Sequence, residues 1–430
     1  MTITVYPPYG ARANPQYVTF DGNNVDAFGR LRVSNPYTLF DAQARFAADT
    51  SYSYVTATGG TTSYNTNKSS VNLNTTTTSG STAVAQTFRV FPYQPGKSLL
   101  TLQTFTMNAG QTNLVQRIGY FGAQNGVYFA QGESGGATTL AFTVRTYTGG
   151  TVDNSRTVTQ ANWNGDKLDG TGPSGVTLDV TKTQILWFDF EWLGVGNVRC
   201  GFIINGQYIT CHTFQNSNFQ TAVYMQTAIL PLRYEITNTG TTASTSTLQM
   251  ICSSVISEGG YEQISQPYIA RNSGTGTSIA SNTGLTFTPI VSIRVNSSYY
   301  GAIVIPSAIS VLPSGNNFNA EVVFIKNATL TGASWTTGAL AAGQVDVDVA
   351  ATSCTAAADG IVQSDFIASS TQGKIGFTAP FGYNFDLQIG FAASLSGNGF
   401  ASSDTYTVAM RGIGSSGTGF GSLAFYNLTV

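Results

Sequence analysis

The chain has 430 residues, of which 9% are charged, with a single histidine, four cysteines and a formal net charge of −2. Groups that trade protons, bind metal or attack carbonyls are scarce, which argues against an enzyme built on clustered ionisable residues. The lack of a Lys/Arg block argues against nucleic-acid binding through phosphate neutralisation.

Apolar residues make up 42% of the chain, enough for packed cores. Thr, Ser, Asn, Gly, Tyr and Phe supply much of the remainder, a mixture suited to strands joined by tight turns with uncharged polar surfaces. A net charge this low favours association, including with copies of the same chain. The N-terminal MTITVYPPYG lacks a basic region followed by an apolar run, so no secretory signal is expected. No stretch reaches the roughly 18 apolar residues of a membrane-spanning helix. The expectation is a soluble protein made in a cytoplasm, with no membrane partner and no cofactor.

In chain order, residues 1–50 are broken by Pro7, Pro8, Pro15 and Pro36 and carry Arg30, Arg32 and Arg45 beside Asp26 and Asp41. The segment is too short and punctuated for its own core. It reads as an extended N-terminal docking arm, with Phe28, Arg30, Arg32 and Arg45 as the candidate anchoring residues. Residues 51–83 are rich in Thr, Ser, Asn and Gly, but Tyr52, Tyr54, Val55, Tyr64, Val71 and Leu73 recur within them, which predicts ordered strands or loops. From Ala83 to about Glu262, runs of 6–11 residues such as KSLLTLQTFTM, TQILWFDFEWL and AVYMQTAIL alternate with turn signals. Short strands at near-regular spacing predict an antiparallel sandwich or jelly roll. The composition shifts near QISQPYIARNSGTG, and a second strand series follows. The expected fold is all-β: two antiparallel β-sandwich, jelly-roll-like domains, at 51–265 and 266–430, preceded by the arm.

Ile185 to Phe214 is the best-defined unit. Asn205-Gly206 is a strong two-residue hairpin signal, flanked symmetrically by Cys200 and Cys211. Counting outward from the turn places these cysteines opposite each other in a hydrogen-bonded pair, where side chains stand farther apart. That favours two packed thiols over a disulfide. Apolar groups on both faces predict a central position in the sheet. Cys252 and Cys354 complete the set, and the absence of CxxC spacing argues against zinc.

Three constellations carry candidate chemistry. Asp189 and Glu191 share a strand face at i and i+2, the spacing of an acid/nucleophile pair for glycoside cleavage. They lack a third acid on that face, so the plainer reading pairs them with basic residues or puts them on a wet face. Asp166, Asp169 and Asp179 lie in an oxygen-rich loop that suits Ca²⁺, but Asp capping of backbone amides in turns accounts for them better. Asp346 and Asp348 alternate with valines, as in a strand with one wet face. His212 has no nucleophile-elbow Ser or Cys to serve, and strand parity places it near Arg199 in a polar role. Trp163 and the scattered tyrosines suit sugar stacking at no location the sequence reveals.

Two segments carry a family resemblance: DAFGRLRVSNPYTLFDAQARF (Asp26–Phe46), and a region running from WLGVGNVRCGFIINGQYITCHTF through ILPLRYEI to ICSSVISEGGY (Trp192–Tyr261). Together they resemble virion structural proteins of tailed bacteriophages, especially those of marine and cyanobacterial hosts, with concanavalin-type or jelly-roll modules. The resemblance covers roughly the first 260 residues. It implies a non-enzymatic virion component of tail, baseplate, fibre or capsid surface whose partners are other virion proteins and its own copies. It supplies no catalytic residues. A host-glycan-binding module and a polysaccharide-cleaving enzyme remain as alternatives.

Overall fold

Period-two alternation of apolar and polar residues, punctuated by Gly, Asn and Ser turns, recurs along the chain, and in the computed structural model these stretches of the described residues form antiparallel sheet. The structure describes residues 35–315, 317–370, 373–374, 377–381 and 384–429. Helical structure among them is confined to four three-residue 3-10 turns.

The first unit holds fifteen strands: β1 (Tyr37–Gln43), β2 (Tyr52–Ala57), β3 (Thr61–Asn65), β4 (Ser70–Thr75), β5 (Thr82–Thr87), β6 (Leu99–Thr106), β7 (Leu114–Phe121), β8 (Gly126–Gln131), β9 (Leu140–Thr146), β10 (Asp153–Thr159), β11 (Gln184–Phe190), β12 (Val198–Ile204), β13 (Gln207–Phe214), β14 (Leu232–Asn238) and β15 (Ser246–Ser257). One sheet has the order β13-β12-β11-β6-β15-β4-β3, with β1 also on β15, and the other has β10-β9-β8-β7-β14-β5-β2. Aromatic rings meet between them: Phe129 of β8 lies 6.2 Å from Phe105 and 5.1 Å from Phe202, and Phe142 of β9 lies 6.0 Å from Phe188. This aromatic layer is the core of a face-to-face sandwich.

The chain enters a second sandwich at Gln266–Arg271. That strand and Val304–Ser314 flank the C-terminal strand Gly417–Asn427, and the facing sheet centres on Thr286–Val295, Thr405–Gly412 and Phe318–Lys326. A two-stranded hairpin, Phe391–Ala393 with Phe400–Ser403, reaches back to the first unit. There the Phe391 amide donates to the Phe88 carbonyl at 2.7 Å and the Ala393 amide to Ser53 Oγ at 3.0 Å. The Gln388 side chain donates to the Val90 carbonyl at 3.0 Å, and Arg89 pairs with Asp386 at 3.0 Å.

Several expectations change. Residues 37–43, read as part of the arm, are a strand of the first sheet, with Leu39, Phe40 and Ala42 buried in its core. Alternation inside TLFDAQA supplies an apolar face that β15 completes. The unit β11–β13 is a meander as expected, but β13 is an edge strand rather than central. AVYMQTAIL forms no strand, and its Tyr224, Met225, Ala228 and Leu230 are buried as a loop.

Candidate functional site

A cleft of about 470 Å³ opens between the two sandwiches. On the first side it is formed by the β7–β8 turn with Gln124. On the second, the loop after Thr286–Val295 brings Ser298, Tyr299 and Tyr300, and the hairpin brings Asn398 and Phe400. Asn296 caps the short 3-10 turn that carries Tyr299 by accepting the Ser298 amide at 2.9 Å. Tyr299 is 44% exposed. Among the described residues, none that lines this cleft is charged. Its lining combines amides, hydroxyls and aromatic rings with the aliphatic Ile229, Leu230, Pro231 and Ala302, a mixture that suits a neutral polyhydroxylated ligand.

The outer face of the second sheet carries a charged network. Arg117 bridges Glu133 at 3.0 Å and Glu235 at 2.6 Å, and Arg233 holds Glu235 at 2.8 Å. Tyr128 donates to Glu133 at 3.0 Å, and Arg145 donates to Asn154 at 3.1 Å. Burial opposes ionisation of Glu235, but Arg233, Arg117 and Arg145 outweigh it and bring its pKa down to about 2. Such a carboxylate stays ionised at neutral pH and cannot act there as a general acid. A cavity of about 530 Å³ opens at the Arg117–Glu133 end.

Of the docking residues expected from sequence, Phe28, Arg30 and Arg32 lie outside the described residues. Arg45 is exposed at the end of β1, with its guanidinium 4.9 Å over the Phe46 ring. Phe46 itself is 81% exposed.

Asp189 and Glu191 do not line a wet face; both are fully buried. Asp189 accepts from Ser98 and from Arg199 on the neighbouring strand. The register pairs Asp189 with Arg199 directly, so the acid meets its base across β11 and β12. Asp346 and Asp348 are likewise buried. Asp346 accepts from Arg294, Asn296 and the Gly338 amide, and Asp348 from the amides of Ser334, Ala350 and Ala351. They organise the loops beside their strand. Asp166, Asp169 and Asp179 cap backbone amides, with Leu168 and Ser174 donating to Asp166 at 2.9 and 2.7 Å.

The Asn205-Gly206 turn forms with φ of +52° and +75°, the backbone of a type I′ hairpin. The cysteines do not face each other, however. Cys200 pairs with His212 and Gly201 with Thr210, so Cys211 is the extra residue of a β-bulge. All four cysteines are free. The bulge also moves His212 away from Arg199, whose partner is Thr213.

The cleft and the charged network were not found from sequence. The cleft joins residues near 124, 299 and 400, which no local pattern connects. The network had one local sign: Arg233 and Glu235 at i and i+2, on one strand face.

No protein-family model matches the chain, and no curated protein matches it. Among solved structures, it is similar to the CBM2 module of the evolved Dit of Lactobacillus casei BL23 phage J-1, at 10% identity and a TM-score of 0.35 over 53% of this chain and 98% of that one. It is also similar to Bacillus licheniformis beta-glucanase, at 11% identity and a TM-score of 0.32 over 50% and 96%. The Emp47p carbohydrate recognition domain matches at 10% identity and a TM-score of 0.32 over 53% and 97%. Likeness at this level carries no argument about what this chain binds or does.

Proposed function

We propose that this chain is a non-enzymatic structural protein of a viral particle, in which segment 1–34 joins it to neighbouring virion proteins. The observation that carries this reading is the place of β1. The strand ties the chain to the sandwich from residue 37 onward, and the candidate docking residues Phe28, Arg30 and Arg32 precede it in sequence. The tailed-phage resemblance of Asp26–Phe46 supports it, because the matching motif spans these residues and the strand. Burial of Asp189 and its engagement by Arg199 weigh against glycoside cleavage at that pair. In the source virus, a chain lacking residues 1–34 is expected to be missing from purified particles while remaining folded. Normal incorporation of the truncated chain would overturn the role of the segment. Antibody-gold labelling of intact particles then assigns head or tail.

A second reading, binding of a neutral host glycan, is favoured by the uncharged, aromatic-walled cleft between the sandwiches. Tyr299→Ala is expected to abolish binding to any neutral glycan found on an array. Binding unchanged by that substitution would exclude the cleft.

A further inference from the structure

The edge strands of the two sheets of the first sandwich, β10 and β13, bound another cavity of about 470 Å³, on the flank rather than on either sheet face. Arg156 of β10 is its cation. The Arg156 guanidinium lies 5.5 Å over the Phe214 ring and donates from Nη2 to the Gln215 carbonyl at 3.4 Å. Its Nη1 is shut off from water with no acceptor. Among the described residues, no carboxylate lines the cavity and none forms an ion pair with Arg156. A half-buried guanidinium without a counter-charge favours negative charge in the cavity it lines.

The other walls suit a sugar. The Asn164 amide donates to His212 Nδ1 at 3.2 Å, which puts the imidazole proton on Nε2. No hydrogen bond from Nε2 is formed among the described residues. Phe219, 70% exposed, stands at the rim beside Gln220 as an open aromatic face.

We propose that this cavity binds an acidic sugar, with its carboxylate or sulfate group toward Arg156, its ring on Phe219, and its hydroxyls on Gln220 and the imidazole N–H. An isolated cation without a basic row does not fit the closely spaced phosphates of nucleic acid. The site is separate from the cleft between the sandwiches, so Tyr299→Ala should leave it unaffected.

The test uses the full chain and its sole histidine, whose imidazole resonance is a single unambiguous NMR probe. A short galacturonic-acid oligomer is expected to shift that resonance and to bind in calorimetry, while a neutral galactose oligomer does neither. Arg156→Gln should weaken binding by about tenfold or more. Phe219→Ala, at an exposed position that folding does not need, should weaken it by about fivefold. Sulfate alone or AMP binding as tightly as the sugar acid would overturn the assignment to a sugar. No binding of the acidic oligomer, or binding indifferent to both substitutions, would overturn the site.

Discussion

At the residue scale, the largely buried carboxylates of Asp189, Asp346 and Glu235 each meet an arginine. Asp189 is the clearest case: it faces Arg199 across neighbouring strands, with Ser98 as a further donor. Removing one partner of a buried ion pair leaves the other uncompensated. Asp189→Ala should therefore cost about 3–5 kcal/mol, measured as a drop in the urea unfolding midpoint at unchanged slope. The pH dependence follows from depressed pKa values, that of His212 in the upper range and those of Glu235 and the capping carboxylates Asp166, Asp169 and Asp179 in the lower. Burial, with help from Arg156, lowers His212 to about 4 from an ordinary value of 6.5. The folded state thus binds this proton less readily than the unfolded one, so stability present above pH 6.5 falls as pH drops toward 4. Glu235, at about 2 against an ordinary 4.5, adds a second loss as pH falls from 4.5 toward 2, worth roughly 3 kcal/mol at most. Unfolding midpoints should therefore decline in two acid steps, and His212→Gln should remove the upper one. An unchanged upper step in that variant would contradict the assignment.

At the element scale, turn chemistry and close backbone approach decide the register. Gly206 sits at φ +75° with open space around it, so Gly206→Ala meets only the left-handed backbone penalty, about 1 kcal/mol. Gly201 occupies the bulge, where an added Cβ would collide with the Ile209 carbonyl. Gly201→Ala should cost more, about 1–3 kcal/mol, through displaced strands. Comparing the two variants in one denaturation series checks the order. The boundary of the N-terminal segment is also testable here. A chain starting at residue 35 keeps the whole of β1. One starting at residue 45 loses the burial of Leu39, Phe40 and Ala42 and leaves the β15 edge unpaired along β1, so its melting temperature should fall by several degrees or more.

At the scale of the whole molecule, the hairpin Phe391–Ala393/Phe400–Ser403 joins the two sandwiches by backbone hydrogen bonding, which rigid β elements transmit well. Phe391 to Phe88 and Ala393 to Ser53 are contacts that either unit alone would lack. Arg89 packs its guanidinium 5.2 Å over Phe40 and pairs with Asp386. Asp386 is largely exposed, so that pair is worth little by itself. Gln388 is buried and donates to Val90. Gln388→Ala should therefore destabilise the joint by about 1–2 kcal/mol, seen as earlier hydrogen exchange of the Phe391 amide.

The amino-acid pattern by itself determined the all-β class, most strand positions and the Asn205-Gly206 turn. These are local properties: alternation, β-branched and aromatic content, and backbone preferences of two or three residues. Tertiary structure alone decided the fate of β1, the offset of Cys200 from Cys211, the burial of Asp189 and Glu191, and all three cavities. Each depends on which distant strand lies alongside. A single extra residue in β13 moves every later side chain by one position, and alternation cannot reveal a partner 150 residues away. Tyr299 and Gln124, or Arg156 and His212, become neighbours only when sheets and loops from separate parts of the chain pack together.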